Sequence, residues 1–308
     1  MKNTELIVRG FVNEIAPGVR YLPVLVANVY FAGEPGTPWV LVDAGLRGAA
    51  SRIRHAAERI YGSGARPECI VVTHGHFDHV GALRDLLEIW NVPVYAHVLE
   101  SPYLNGKSRY PPPDPTVGGF LAQLSRTFPS GGIDVGDRLN LLPEDGSIPG
   151  MAGWRAIHTP GHTPGHIALF READRVLIAG DAVTTVNQEA PLKMIAQIRE
   201  FRWPPACFTT DWGKAIESVH KLAELKPQVV AAGHGLPASG PGVAEEFDRF
   251  AENLRPPRHG RYVHVPAAAD ESGVTFVPPA PPDRIPKIAA GLGLAALAGI
   301  VIAARRRK

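Results

Sequence analysis

Valine-rich stretches dominate the first third of the chain. "VLVANVYF" (24–31) and "WVLVDAG" (39–45) flank "GEPGTP", a turn of Gly and Pro, so a β-hairpin is predicted there. After Gly45 the apolar spacing changes to three and four. "AASRIRHAAERIYG" puts Ile53, Ala56, Ala57 and Ile60 on one face, which predicts an amphipathic helix ending at Gly62. "CIVVT" (69–73) reads as a short buried strand, "GALRDLLEIW" (81–90) as a helix and "VPVYAH" (92–97) as another strand. Residues 101–135 are rich in Pro and Gly around a weak helical piece, "FLAQLSRTF", and read as an insertion forming a lid or pocket wall. Two more strands, "WRAIHTPGHTPGHIALF" and "RVLIAGDAV", are interrupted by turns. A helix over 212–227 follows, with Ile216, Val219, His220 and Ala223 on one face, and "QVVAAGHG" is a last buried strand. This alternation of strands and helices predicts an α/β fold.

The C-terminal end has a different pattern. Past Ala251 the periodicity fades, "VPPAPPDRIP" (277–286) is a stiff proline-rich stretch, and residues 288–304 run for seventeen positions without a charge before "RRRK". A folded domain over 1–265, a linker over 266–286 and a membrane anchor over 287–308 are expected. As a single apolar helix, 288–304 reaches about 25 Å, short of the roughly 30 Å hydrocarbon core unless Lys287 and the arginines snorkel. Membrane association through 288–304 is therefore expected. The start, "MKNTELIVRGF", lacks the apolar run of a signal peptide, which predicts a cytoplasmic body. The positive-inside rule instead puts "RRRK" in the cytoplasm and the body outside, so topology stays open, as does oligomeric state.

Charge narrows the partners. The formal net charge is +2, but five basic residues lie within 287–308, and without them 27 basic residues face 30 acidic ones. Such a body has no electrostatic footprint for nucleic acid, and a small-molecule substrate is expected. Two unpatterned cysteines, Cys69 and Cys207, suit a reducing compartment.

The candidate chemistry lies in "THGHFDH" (73–79). Clustered imidazoles repel each other when protonated and are hard to satisfy when buried, so a cation among them is the economical explanation. His74 and His76 are two apart on a loop leaving a buried strand and can share one ion, while Asp78 and His79 turn toward a second position. Later strands end in similar residues: His162 in "TPGHTPGH", Asp181 in "LIAGDAV" and His234 in "VVAAGHG". Imidazole and carboxylate together suit Zn, Mn or Fe. His166 is near enough to touch the site and is expected to make a structural hydrogen bond. No GxSxG elbow occurs, so serine nucleophilic catalysis has no support.

This pattern resembles the metallo-β-lactamase-fold hydrolase superfamily over about residues 5–250, with the HxHxDH signature intact as His74, His76, Asp78 and His79. The resemblance implies a four-layered αβ/βα sandwich with the site at one edge of two facing sheets. It implies that His74, His76 and His162 hold one metal, that Asp78, His79 and His234 hold the other, and that Asp181 bridges them. Asp43, in "VLVDAG", matches an early Asp that supports the site without binding metal. Two divalent ions, Zn first and Mn or Fe next, would then supply a metal-bound hydroxide for an ester, thioester or lactone. Asp78 is expected to orient the water and carry a proton. The chain looks most like the glyoxalase II-like and lactonase-like branch. Persulfide dioxygenases, with one Fe, resemble the pattern too, and a non-catalytic membrane-anchored metal-binding protein is a third reading. The complete second ligand set favours the dinuclear hydrolase. Aromatics in two flanking segments, Tyr103, Tyr110, Phe120 and Phe128, then Phe201, Trp203 and Phe208, either clasp an apolar group or pack their own loops.

Overall fold

The computed structural model describes residues 12–282. Seven strands form the first sheet in chain order: β1 (Asn13–Ala16), β2 (Val19–Val24), β3 (Ala27–Ala32), β4 (Val40–Val42), β5 (Cys69–Val71), β6 (Val94–Ala96) and β7 (Leu139–Leu141). The pairs from β1 to β4 are antiparallel and those from β4 to β7 parallel. Next come β8 (Trp154–His158), β9 (Ile167–Arg171) and β10 (Val176–Gly180), then the small pair β11 (Thr184–Val186) and β12 (Arg199–Arg202). With β13 (Val229–Ala232) and β14 (Ala238–Ser239), strands β8 to β10 build a second sheet of order β14-β13-β10-β9-β8.

Strand periodicity sorts the side chains into three apolar layers. In β10, Val176 and Ile178 point between the sheets, where they meet Tyr30, Val42, Val71 and Ala231, while Leu177 and Ala179 point outward. The outward side is covered by helices Trp212–Ala223 and Val243–Asn253 through Val219, Leu222 and Phe247. On the far face of the first sheet, helices Ala50–Tyr61 and Leu83–Trp90 bury Ile53, Ala57, Leu83 and Leu86 against Phe31, Leu41 and Ile70. The result is the expected four-layered αβ/βα sandwich. Both faces of β4, β5, β10 and β13 are covered, which is why these strands read as unbroken apolar runs.

Several sequence expectations shift. The stretch 24–31 is not one strand: Leu25 adopts a left-handed φ of 59°, and a turn separates β2 from β3 without any Gly or Pro to announce it. In the helix over 212–223 the buried residues are Trp212, Ala215, Ser218, Val219, Leu222 and Ala223; of the expected face Val219 and Ala223 are buried, Ile216 is half-buried and His220 is exposed. Residues expected to begin a linker carry a hairpin, β15 (Ala268–Asp270) with β16 (Gly273–Phe276), which docks on Ser108 of the insertion.

The membrane expectation is corrected. Among the described residues no helix is long and apolar enough to cross a membrane. The longest have 12 residues, about 18 Å of helix against a hydrocarbon core of roughly 30 Å. The segment 288–304, on which the transmembrane helix and the membrane-associated localisation rested, lies outside the described residues.

This packing sets two expectations. Phe247 is fully buried and stacks among Phe201 and Phe250. Phe247→Ala should therefore cost about 3–5 kcal/mol in urea unfolding. At the junction of the two sheets, His97 and His158 stack with centroids 4.0 Å apart. Burial first, and then the neighbouring His158, push His97 down from its ordinary 6.5 to about 4. A depressed histidine holds its share of stability above pH 6.5 and loses it as pH falls toward 4. NMR titration should find His97 near 4, and His97→Asn should flatten the decline in urea midpoint over that window.

Candidate metal centre

Every candidate ligand leaves the same edge of the sandwich, where strand ends converge. The loop after β5 carries His74 and His76, and the one-turn helix Phe77–Val80 that follows carries Asp78 and His79, where a loop was expected; the β8–β9 turn carries His162; Asp181 follows β10 and His234 follows β13. The glycines before the last two are required by crowding. A Cβ at Gly180 would lie 2.6 Å from His166 Nε2, and one at Gly233 would lie 2.1 Å from Asp181 Oδ1.

The structure brings all seven residues together. His74, His76 and His162 form one group, and Asp78, His79 and His234 form a second, with the ligand atoms of each group within 4.8 Å of one another. His74, His79 and Asp181 make a third group of the same size, so Asp181 lies between the other two. Its Oδ2 is 3.0 Å from His234 Nε2 and 3.6 Å from His162 Nε2, and its Oδ1 is 3.5 Å from His79 Nε2. His76 Nδ1 and His162 Nε2 stand 3.0 Å apart. Asp78 Oδ2 is 3.4 Å from His234 Nε2, and its side chain is 13% exposed where Asp181 is nearly closed off.

Outer hydrogen bonds turn the imidazole lone pairs inward. Asp43 accepts from His79 Nδ1–H at 2.8 Å, from Thr73 N–H at 2.8 Å and from Thr73 Oγ1–H at 2.8 Å. With its own proton committed to Asp43, Thr73 Oγ1 accepts from His74 Nδ1–H at 3.2 Å. One buried carboxylate therefore orients a histidine in each of the first two groups. His234 Nδ1–H donates to the Val26 carbonyl at 2.7 Å, beside the turn at Leu25. His162 Nδ1 faces Thr209 Oγ1 at 3.4 Å. His166 acts differently, since its Nε2 accepts from the Asp181 backbone N–H at 2.9 Å and its Nδ1 lies 2.8 Å from Thr159 Oγ1. It steers Asp181 from outside.

Electrostatics divides the centre. Burial first, and then repulsion among neighbouring imidazoles, holds His74 and His162 well below the usual histidine range, and burial brings His76 down to about 3. Burial pulls His79 and His234 the same way, but Asp181 and its companion carboxylates prevail and raise both. Burial would raise Asp181 in turn; His234 and His79 overcome it and hold the carboxyl well below its ordinary range. Three buried atoms here, His74 Nε2, His79 Nε2 and Asp181 Oδ1, make no well-formed hydrogen bond, the last two only facing each other at 3.5 Å. An unpartnered buried polar atom costs about 1–3 kcal/mol, so three in one place fit a cation that all of them face.

Thr73, Glu100, Val26 and Thr209 are common residue types with no spacing signature in the sequence, and Tyr110 reads there only as an aromatic of the insertion. Phe77 lies inside "HGHFDH", where the ligand spacing gives no reason to single it out.

The model of the metallo-β-lactamase superfamily matches residues 22–234. The chain is 47% identical over 244 residues to the probable metallo-hydrolase YflN of Bacillus subtilis, an alignment covering 78% of this chain and 92% of that one. It is 27% identical to the probable metallo-hydrolase YybB of the same organism, over 66% of this chain and 78% of that one. Among solved structures, a β-lactamase domain protein from Burkholderia ambifaria superposes with a TM-score of 0.56 at 25% identity, covering 81% of this chain and 78% of that one. ST1585 from Sulfolobus tokodaii shares the fold, with a TM-score of 0.51 at 24% identity over 75% of this chain and 85% of that one. Two facing sheets delivering histidines and aspartates to one edge, together with these matches, place the chain in the metallo-β-lactamase superfamily.

Proposed function

We propose that this chain is a hydrolase that uses two divalent ions, Zn before Mn or Fe, to cleave an ester, thioester or lactone of a small molecule. Membership in a superfamily of metallo-hydrolases and the clustered His and Asp groups support a metal-dependent hydrolase. The observation that carries the two-ion reading is the arrangement of ligands: two compact triads with Asp181 between them, and unpartnered buried atoms in both halves. In this reading His74, His76 and His162 would hold one ion and Asp78, His79 and His234 the other, with Asp181 available to both. Such ions, when bound, acidify water and polarise an acyl oxygen.

The residues of the chain do the rest. Asp43, Thr73 and His166 fix ligand orientation from outside, as the hydrogen bonds above describe. Asp78 is the carboxylate of the centre with access to solvent, so it is placed to accept a proton from the attacking water and return it to the leaving group. Phe77 of the histidine loop, Phe128 of the insertion and Phe208 of the segment before Trp212 meet beside His76. Ring centroids are 5.3 Å apart for Phe77 and Phe128 and 6.1 Å for Phe128 and Phe208, and Phe208 is 5.2 Å from His76. All three are half-buried, and they offer an apolar wall to an acyl group. Of the other aromatics considered, Tyr103 and Tyr110 stack on each other inside the protein, and Phe201 packs on Phe247.

Metal content of the full chain, purified with neither chelator nor added metal, tests the reading by mass spectrometry. Close to two Zn or Mn per chain is expected; one Fe per chain would overturn the dinuclear assignment. Asp181→Ala should deplete both positions together. Asp78→Asn should lower kcat by about 100-fold or more on a thioester and lactone panel. Near-normal turnover with both metals bound would remove Asp78 from the proton path. Phe208→Ala should raise KM about tenfold for long acyl chains and leave acetyl substrates nearly unchanged.

A further inference from the structure

Glu100 is fully buried although it makes no ion pair with any described lysine or arginine. It follows β6, the strand beside the histidine loop, and its carboxylate accepts from four donors on two sides. Oε2 takes the Gly75 N–H at 2.9 Å and the Tyr110 hydroxyl. Oε1 takes the Thr163 hydroxyl at 2.7 Å and the Gly165 N–H at 2.9 Å. Tyr110 Oη also accepts from Gly75 N–H at 2.8 Å. Gly75 lies between His74 and His76, while Thr163 directly follows His162. One side of the carboxylate thus grips the histidine loop of the first sheet, and the other grips the β8–β9 turn of the second.

The glycines of both motifs carry independent witness to this contact. A Cβ at Gly75 would stand 2.8 Å from Tyr110 Oη, and one at Gly165 would stand 2.6 Å from the Glu100 backbone nitrogen and 2.9 Å from its Cγ. The small residue in "HGH" and the second glycine of "TPGHTPGH" leave the room that Glu100 and Tyr110 occupy. Neither glycine needs a left-handed backbone, so close approach is the requirement.

We propose that Glu100 is a positioning residue that sets the gap between the two ligand-bearing loops, and thereby builds the His74, His76 and His162 half of the centre. The other half hangs on different supports: His79 on Asp43, His234 on Val26 and Asp181 on His166. Loosening Glu100 therefore weakens one metal position selectively. This inference rests on the metal-dependent reading above.

The informative variant is Glu100→Gln. Its amide keeps one acceptor oxygen and turns an NH2 group toward one loop, where the hydroxyl can rotate to accept but the backbone N–H of Gly75 or Gly165 loses its acceptor, so that loop's hold weakens. The experiment measures the affinity of the full chain for each Co(II) equivalent by chelator competition, with the visible Co(II) spectrum reporting ligand geometry, and circular dichroism reporting the fold. In Glu100→Gln, one equivalent should weaken about 10- to 100-fold with an altered spectrum, while the other stays within about threefold. Glu100→Asp should recover part of the loss. Tyr110→Phe and Thr163→Val each delete a single donor, and each should weaken the same equivalent about three- to tenfold. They decide the matter if Glu100→Gln does not fold. Wild-type affinity for both equivalents in Tyr110→Phe and Thr163→Val, or equal weakening of both equivalents, would overturn the selective role. Failure of the wild-type chain to bind Co(II) would remove the metal reading itself, a result distinguishable from the first because no variant is involved.

Discussion

The centre depends on one constraint: each buried imidazole must turn a lone pair inward. A neutral imidazole has one N–H and one lone pair, so its direction is set by what the N–H finds outside. Thr73 takes it for His74, Asp43 for His79 and the Val26 carbonyl for His234. Thr73 and Asp43 sit next to parallel strands, and Val26 forms the turn between β2 and β3. The orientation of the ligands is thus a property of the first sheet's edge as much as of the ligands themselves. Asp43 takes a left-handed φ of 62° there, an uncommon conformation for a residue with a side chain, consistent with the many partners its carboxylate satisfies.

The two halves of the centre are built on different physics. Around His74, His76 and His162, burial and mutual repulsion keep the rings neutral, so their lone pairs are free. Around His79 and His234 the nearby carboxylates favour a positive charge at the rings, which a bound cation would supply in place of a proton. The second half can therefore satisfy part of its charge by ion pairing within the protein. In the first half Asp181 reaches His162 only at 3.6 Å, so loop geometry carries more of the arrangement. This contrast gives the buried Glu100 its importance, since the carboxylate joins loops from opposite sheets at that half.

The sandwich supplies the rigidity this arrangement needs. Strands covered on both faces cannot slide without moving a packed layer, so their ends are fixed points. The three phenylalanines at the mouth come from three separate segments, and only the insertion and the segment before Trp212 bring Phe128 and Phe208 to Phe77. The β15–β16 hairpin ties the insertion down through Ser108, and Arg261 N–H donates to Asp114 in the same region.

Local patterns in the sequence already determined much of this protein. The apolar runs at 69–73 and 229–232, the helices over 50–61 and 212–223 and the motif "HGHFDH" were legible because periodicity and residue chemistry act over a few positions. His162, Asp181 and His234 are suggested by their place at the ends of later strands and their division into ligand sets by a family resemblance, and the structure places the residues at one edge. What could not be read is what depends on contacts far apart in sequence. Leu25 turns the chain without a turn residue, and the Val26 carbonyl beside it meets His234 from more than 200 residues away. Glu100 looks like an ordinary polar residue, and Tyr110 like one more aromatic of the insertion, until two sheets fold onto them. Residue type and short-range spacing decided which groups can do chemistry; only tertiary packing decided which way they face, because a hydrogen bond's direction is set by a partner the local sequence does not contain.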